Sequence, residues 1–284
     1  MTTQLPFVKM QGIGNDFVVA DCLVEGAPTV DALQAQSVRL CDRKFGIGGD
    51  GVLLVLPSET CDFMMRMFNP DGSESEMCGN GIRCFAKYVY DQGHTAKTRI
   101  TVETLGGDKT LDLTVRDGKV THVTVDMGVP RLNRADIPME GDPAGQAVGQ
   151  VVDVNGEAVA LTAVSMGNPH AIYFLPEVTE ESIDRLGPAI EKHPLFPRRT
   201  NAHAVEVVSP SEIKMLTWER GAGRTLACGT GACASVVASH VNGLTGRRVL
   251  VHLLGGDLQI DWSDDDRVYM TGPAVEVFRG TISL

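Results

Sequence analysis

Alternation of apolar and polar residues, bounded by turn formers, recurs at residues 16–24, 51–56, 62–68, 98–105 and 110–115, and each run predicts a half-buried strand. Asp117-Gly118 lies between alternating runs at 111–115 and 120–125, and Asn155-Gly156 between runs at 151–154 and 158–164. Both dipeptides accept the positive φ angles of a two-residue turn, so each predicts a tight antiparallel hairpin. A 3.6-residue period marks helices at 31–42, 82–92, 180–192 and 232–242, with Gly93 and Gly243 placed to cap the second and fourth. The pattern is that of a mixed α/β fold of the α+β type, with mainly antiparallel sheet.

The two helices that end on glycine differ in patterning. Ile82, Phe85, Ala86 and Val89 make one apolar stripe with Arg83 and Lys87 off it, whereas residues 232–241 are small or apolar almost all round. The second of these helices is therefore expected to be enclosed by sheet. Residues 131–150 carry Pro138, Gly141, Pro143, Gly145 and Gly149 without a sustained period, and read as a junction near the midpoint.

The chain also repeats itself. Gly14-Asn15-Asp16-Phe17, Cys78-Gly79 and Leu105-Gly106-Gly107-Asp108 return in the same order as Gly167-Asn168-Pro169-His170, Cys228-Gly229 and Leu254-Gly255-Gly256-Asp257, roughly 150 residues later. Three ordered matches predict two similar halves from an internal duplication, with the active site in the cleft between them.

Bulk properties narrow the function classes. With 284 residues, 43% hydrophobic and 21% charged, the composition is that of a folded globular protein. A net charge of −11 without a Lys/Arg cluster argues against a nucleic-acid partner. The first ten residues lack the order of a signal peptide and no apolar run approaches ~18 residues, so a cytoplasmic protein without a membrane partner is expected. Seven cysteines at irregular spacing do not form a secreted disulfide framework, and Cys84 and Cys233, inside predicted helices, read as packing residues.

Cys78 and Cys228 are different. Each precedes Gly-x-Gly at the start of a predicted helix, where unpaired N–H groups and the positive dipole end favour thiolate and bind carboxylate. One such thiol could be a nucleophile. Two opposed thiols permit one to take a proton from a carbon while the other delivers a proton to the opposite face, inverting the centre, with helix N–H groups receiving the carbanion's charge in a carboxylate. That chemistry requires no cofactor.

The segments Lys9-Met10-Gln11-Gly12-Ile13-Gly14-Asn15-Asp16-Phe17, Phe68-Asn69-Pro70-Asp71-Gly72-Ser73, Cys78-Gly79-Asn80-Gly81, Met166-Gly167-Asn168-Pro169-His170 and Glu219-Arg220-Gly221-Ala222-Gly223 stand in an order that resembles the diaminopimelate epimerases, across the whole chain. The resemblance implies interconversion of LL- and meso-diaminopimelate in lysine and peptidoglycan precursor synthesis. It further implies two domains, residues 1–122 plus 274–284 with Cys78 and residues 123–273 with Cys228, each a mostly antiparallel barrel around a central helix. Position by position, Cys78 resembles the proton donor and Cys228 the acceptor, exchanging roles when the reaction reverses. Gly79, Asn80, Gly229 and Thr230 match the donors around the reacting carboxylate. Asn15, Asn69, Asn168, Asn201, Glu219 and Arg220 match side-chain contacts to substrate, with Arg220 on the distal carboxylate and Glu219 on the distal ammonium. His170 and Glu219 match positions that support catalysis, His170 through charge balance. The only ligand so implied is the small-molecule substrate; no cofactor or metal is called for, and the sequence leaves a homodimer open.

Blander readings compete. Asparagine beside glycine is a common turn former, Glu219-Arg220 could be a solvated ion pair, and a lone histidine is usually structural. Gly51 stands where some family members carry a side-chain amide, and Ala202-His203-Ala204 where an aromatic residue is commoner. A cofactor-free proline or hydroxyproline racemase is the nearest alternative, although a cyclic imino acid has no distal end for Glu219-Arg220. A thiol redox protein is opposed by the absence of C-x-x-C, and a non-catalytic binder would show no isotope exchange. Residues 46–51 fit G-x-G-x-x-G, but they follow a helical run and open a strand, the reverse of a dinucleotide fingerprint. The cysteine spacings and the lack of H-x-H or H-E-x-x-H speak against zinc.

Overall fold

The computed structural model describes residues 4–284. In chain order its elements are β1 (Gln4–Gly12), β2 (Asn15–Asp21), α1 (Val30–Cys41), β3 (Gly51–Leu56), β4 (Phe63–Phe68), β5 (Glu74–Ser75), α2 (Gly79–Asp91), β6 (Arg99–Glu103), β7 (Lys109–Arg116), β8 (Lys119–Asp126), β9 (Gln150–Val154), β10 (Glu157–Ser165), β11 (Pro169–Phe174), α3 (Glu180–Glu191), β12 (Asn201–Ser209), β13 (Glu212–Glu219), β14 (Gly223–Thr225), α4 (Gly229–Val241), β15 (Arg248–Leu253), β16 (Gly256–Trp262), β17 (Val268–Pro273) and β18 (Val275–Ser283). Two compact units result: residues 4–125 with 271–284, and residues 126–270. Residues 131–150, expected as a junction, belong to the second unit. Ile137, Met139 and Ala147 are buried in that unit's core beside Leu161 and Phe196, so an aperiodic stretch is held by packing.

In the first unit β1 pairs antiparallel with β18 on one side and β2 on the other. The ladder continues through a parallel β2–β3 pair, antiparallel β3–β4, parallel β4–β6, and antiparallel β6–β7 and β7–β8. The second unit has the same plan: antiparallel β10–β11, parallel β11–β12, antiparallel β12–β13, parallel β13–β15 and antiparallel β15–β16. The duplication read from three short motifs is thus a duplication of strand order and of both parallel crossovers.

Local chemistry accounts for most of the elements. Asp117 and Gly118 take φ of 51° and 73°, and Asn155 and Gly156 take 56° and 85°, the paired positive values of a type I′ turn. Thr29 caps α1, and Thr179 with Ser182 forms a reciprocal capping box on α3. Gly93 and Gly243 follow α2 and α4 with φ of 81° and 72°. Alternation does not mark β1, β11 and β12, and burial explains this: β1 buries Phe7, Val8, Lys9 and Met10 consecutively, and β11 and β12 each bury five residues in a row, which erases a period of two.

Both central helices are enclosed. α4 is buried at Gly229 and from Gly231 through Ser239, against β10, β11, β12, β13, β15 and β16. Arg83, which the helical pattern sets off the apolar stripe of α2, is nevertheless fully buried. Its guanidinium donates to the carbonyls of Gly79 at 2.9 Å and Pro273 at 3.2 Å, so sheet can close over a charge that the helical pattern marks as solvent-facing. Residues 46–51 lead from α1 into β3, as a strand-opening loop. Among the described residues no helix is long and apolar enough to cross a membrane, and no group of three or more His, Cys, Asp or Glu is arranged to hold a metal ion.

Candidate active site

Cys78 and Cys228 are the N-cap residues of α2 and α4, with nearly identical extended backbones (φ −133°, ψ 115° and φ −128°, ψ 107°). In each case the cap carbonyl starts the helix, accepting from Ile82 and Ala232 N–H at 2.9 Å. At Cys78 the Gly81 N–H donates to Sγ at 3.4 Å, a sulfur standing where serine or aspartate usually caps. Gly79, Asn80 and Gly81 form the buried first turn of α2; Gly229 and Gly231 are buried in that of α4, with Thr230 half-buried between them. The second Gly of the α4 repeat makes room: a Cβ on Gly231 would lie 2.3 Å from Cε1 of His203.

The first unit orients its thiol from a fixed charge. Asp50 is acceptor-only, and it takes hydrogen bonds from Asn15 Nδ2 at 2.7 Å and from the Asp16 N–H at 3.1 Å. The Asn15 amide therefore turns its oxygen toward Cys78 Sγ at 3.7 Å and Asn80 Nδ2 at 3.3 Å. A carbonyl facing a thiol receives its proton, so this contact favours Cys78 as S–H. Asp50 is held by Arg43 at 2.8 Å, and Arg43 also pairs with Asp16, whose other partner is buried Lys9 at 2.5 Å. Burial pushes the Asp16 carboxyl up, but the bonds from Arg43 and Lys9 outweigh it and hold it at about 2. Asn15 leaves a turn in which Ile13 and Gly14 both have positive φ (48° and 84°); Ile13 there is a β-branched residue under strain, fixed by burial.

Asn69 sits in the turn after β4, its Nδ2 donating to Ser73 Oγ at 3.0 Å. At Gly51 a Cβ would stand 2.7 Å from Met67 Cε, the end of a flexible side chain, and 3.1 Å from the Phe68 carbonyl oxygen.

In the second unit the thiol meets a hydroxyl and a carboxylate. Cys228 Sγ lies 3.7 Å from Thr230 Oγ1, which accepts from Asn168 Nδ2 at 3.3 Å. Asn168 follows Gly167 (φ 97°) as Asn15 follows Gly14. Glu219 accepts from Thr225 Oγ1 at 2.6 Å and faces the sulfur. The sequence predicts a depressed thiol pKa, and the structure reverses that for Cys228. Burial and then the neighbouring Glu219 carboxylate raise it well above the ordinary range, against the pull of Thr230 and the Gly231 N–H. Glu219 is itself raised, by burial first, with Thr225 and Cys228 pulling down. A sulfur and a carboxyl in contact away from water share one negative charge more easily than two.

Asn201 ties the neighbouring strands: its Nδ2 donates to the Pro169 carbonyl and its Oδ1 accepts from the Arg220 N–H, both at 2.9 Å. The Arg220 side chain is exposed and donates to the Arg198 carbonyl at 3.2 Å. His170 is fully buried, its pKa lowered by burial, then by His203 and Arg220. A buried neutral ring is unsuited to charge balance; it bonds instead to Asn168 Oδ1 at 2.9 Å and to His203 at 2.8 Å.

His203 is the residue that sequence reasoning missed, having been noted only for where an aromatic ring is commoner. The available signal is its alternation with Asn201 on one strand, since β12 runs parallel to β11 with Asn201 opposite His170. Glu191 was missed as well. At the end of α3 it accepts from Trp218 Nε1 at 2.9 Å and the Gly221 N–H at 3.1 Å, anchoring the loop that carries Glu219 and Arg220.

The family model described as diaminopimelate epimerase matches residues 7–133 and 162–277. A diaminopimelate epimerase of Pelotomaculum thermopropionicum is 54% identical over 274 residues, covering 96% of this chain and 97% of its own. One from Heliobacterium modesticaldum is 53% identical over 282 residues, covering 99% and 100%. Among solved structures, a Bacillus anthracis phenazine biosynthesis protein of the PhzF family superposes with a TM-score of 0.73 at 16% identity, over 99% of this chain and 100% of that one. A hydroxyproline epimerase from Agrobacterium vitis gives 0.70 at 16% identity, over 100% and 94%. At that identity these two likenesses concern the fold alone.

Proposed function

The chain belongs to the diaminopimelate epimerase family, and from that premise we propose that it inverts one α-carbon of diaminopimelate with Cys78 and Cys228 as its acid and base. Membership makes it an isomerase, an amino-acid epimerase acting on diaminopimelate in lysine biosynthesis. The finer reading is LL to meso by two thiols, in the cytoplasm, without a cofactor. Its main support is that Cys78 and Cys228 are the N-caps of corresponding helices with nearly identical backbones, each sulfur facing an N–H of its own helix's first turn, Gly81 or Gly231.

In the forward direction the Cys228 sulfur, as thiolate, takes the α-proton and becomes S–H. The electron pair left on carbon delocalises into the α-carboxylate, whose oxygens are received by N–H groups at the starts of α2 and α4. The Cys78 S–H then delivers its proton to the opposite face and is left as thiolate, and proton exchange with water restores the starting pair. Arg220 binds the distal carboxylate and Glu219 the distal ammonium, with Asn15, Asn69, Asn80, Asn168 and Asn201 around the substrate. An ammonium beside Glu219 would also offset the charge that now opposes a thiolate at Cys228.

Incubation of the reduced protein with LL-diaminopimelate in D2O tests this directly. Deuterium should enter the α-position as the meso isomer appears, and both should vanish in Cys78→Ala and Cys228→Ala. Exchange into L-proline or trans-4-hydroxy-L-proline alone would transfer the assignment to an imino-acid racemase. No exchange into any of the three under reducing conditions would sink the two-thiol reading.

A further inference from the structure

Four side chains, those of His203, His170, Asn168 and Thr230, join Thr217, in the interior of the second unit, to the sulfur of Cys228. Thr217 Oγ1 lies 3.1 Å from His203 Nδ1, His203 Nε2 lies 2.8 Å from His170 Nδ1, and His170 Nε2 lies 2.9 Å from Asn168 Oδ1. Asn168 Nδ2 then reaches Thr230 Oγ1 at 3.3 Å, and Thr230 reaches Cys228 at 3.7 Å. Both rings are wholly buried, and burial keeps both below the ordinary histidine range, His203 at about 3, so each is neutral with one donor and one acceptor nitrogen.

Neutral rings give the row of bonds a direction. The amide oxygen of Asn168 is acceptor-only, so His170 carries its proton on Nε2 and presents Nδ1 as an acceptor. His203 must then donate from Nε2, which leaves its Nδ1 to accept from the Thr217 hydroxyl. At the other end Thr230 accepts from Asn168 and turns its own proton to the sulfur, because a Cys228 thiolate can be faced only by a donor. His203 cannot move off this line easily. The ring fills the space beside the first turn of α4 where Gly231 lacks a side chain.

We infer that His203 is a positioning residue for the epimerisation: by fixing the tautomer of His170 it locks Asn168 and Thr230 so that a hydroxyl proton is aimed at the Cys228 thiolate. Neither histidine exchanges a proton with substrate. The inference rests on the base role proposed for Cys228, but its structural half is independent of any activity.

Nitrogen-15 NMR of histidine-labelled protein without substrate tests that half. Both rings should be Nε2–H tautomers, unchanged between about pH 6 and 9. An Nδ1–H tautomer at either ring, or titration of either in that range, overturns the inference whether or not the protein is an epimerase. Kinetics test the rest. His203→Gln keeps a donor toward His170 and an acceptor for Thr217, whereas His203→Leu removes both. His203→Leu should lower kcat by at least ~10-fold with KM within about twofold, and His203→Gln should recover most of it. Equal loss in the two variants, or a loss confined to KM, refutes the positioning role. Should His203→Leu fail to fold, Thr217→Val removes only the bond that holds the far side of the His203 ring: a shifted His203 Nδ1 resonance and a lowered kcat at unchanged KM are expected, and full kcat is the contrary result.

Discussion

The two Cys-Gly-x-Gly repeats look alike in sequence, yet alanine at their second glycine should have opposite consequences. At Gly81 a Cβ would stand 3.2 Å from Leu53 Cδ2, 3.4 Å from Cys78 Cβ and 3.5 Å from Phe17 Cζ, and the nearest of these is the end of a flexible side chain. At Gly231 it would stand 2.3 Å from His203 Cε1, 2.7 Å from Nε2 and 3.0 Å from Nδ1, against a ring hydrogen-bonded on both sides. Replacing a helical glycine by alanine gains ~0.5–1 kcal/mol of backbone entropy. A small steric adjustment at Gly81 offsets that, so Gly81→Ala should leave stability within about 1 kcal/mol of the parent. For Gly231→Ala, overpacking costs ~1–3 kcal/mol and displacing His203 leaves buried polar atoms unpaired at ~1–3 kcal/mol, for a net loss of about 3 kcal/mol. Urea unfolding at unchanged slope reads the difference in midpoint, and kcat on diaminopimelate reads the displaced ring. Equal midpoints and equal kcat for the two variants would refute the reasoning, since the sterics of His203 would then not govern the start of α4.

Other parts of the structure carry similar expectations. Asp50→Asn removes the acceptor-only partner that orients Asn15, so both amide orientations become available at Cys78; kcat should fall ~10-fold, and an unchanged kcat would show that Asp50 does not set the amide. Glu191→Ala frees Trp218 Nε1 and the Gly221 N–H beside Glu219-Arg220, so KM should rise more than kcat falls, with a stability loss of about 2 kcal/mol in thermal unfolding; a variant with parental KM would contradict the anchoring role. His252 bridges Glu212 and Asp257, at 2.7 and 2.8 Å, and the two bonds raise its pKa above the ordinary value. A raised folded-state pKa gives stability that is full below the unfolded value of ~6.5 and is lost as pH rises through the folded one. His252→Gln should therefore destabilise by up to roughly 1 kcal/mol near pH 5.5 and by little near pH 9, and a pH-independent difference would argue against the bridge.

What the sequence determined by itself is local. A pair of residues able to hold positive φ makes a hairpin wherever it falls between two strands, which is why Asp117-Gly118 and Asn155-Gly156 were legible, as were Gly93 and Gly243 after their helices. Cysteine followed by Gly-x-Gly before a helical period placed both thiols at helix starts for the same reason, and the ordered repeat of three motifs carried the duplication. Tertiary structure decided whatever depends on partners distant in sequence. Lys9, Asp16, Arg43 and Asp50 become one charge network only when β1, β2 and the loop before β3 are assembled. Arg83 is buried because carbonyls of Gly79 and of Pro273, far along the chain, accept from it. The thiol of Cys228 is raised rather than lowered because folding encloses it and sets Glu219 beside it, surroundings that a local motif does not announce. His203 is marked in the sequence only by standing two residues after Asn201. Its role arises from the parallel pairing of β11 and β12, which sets His170 beside it, and from the missing side chain of Gly231, which makes room for its ring.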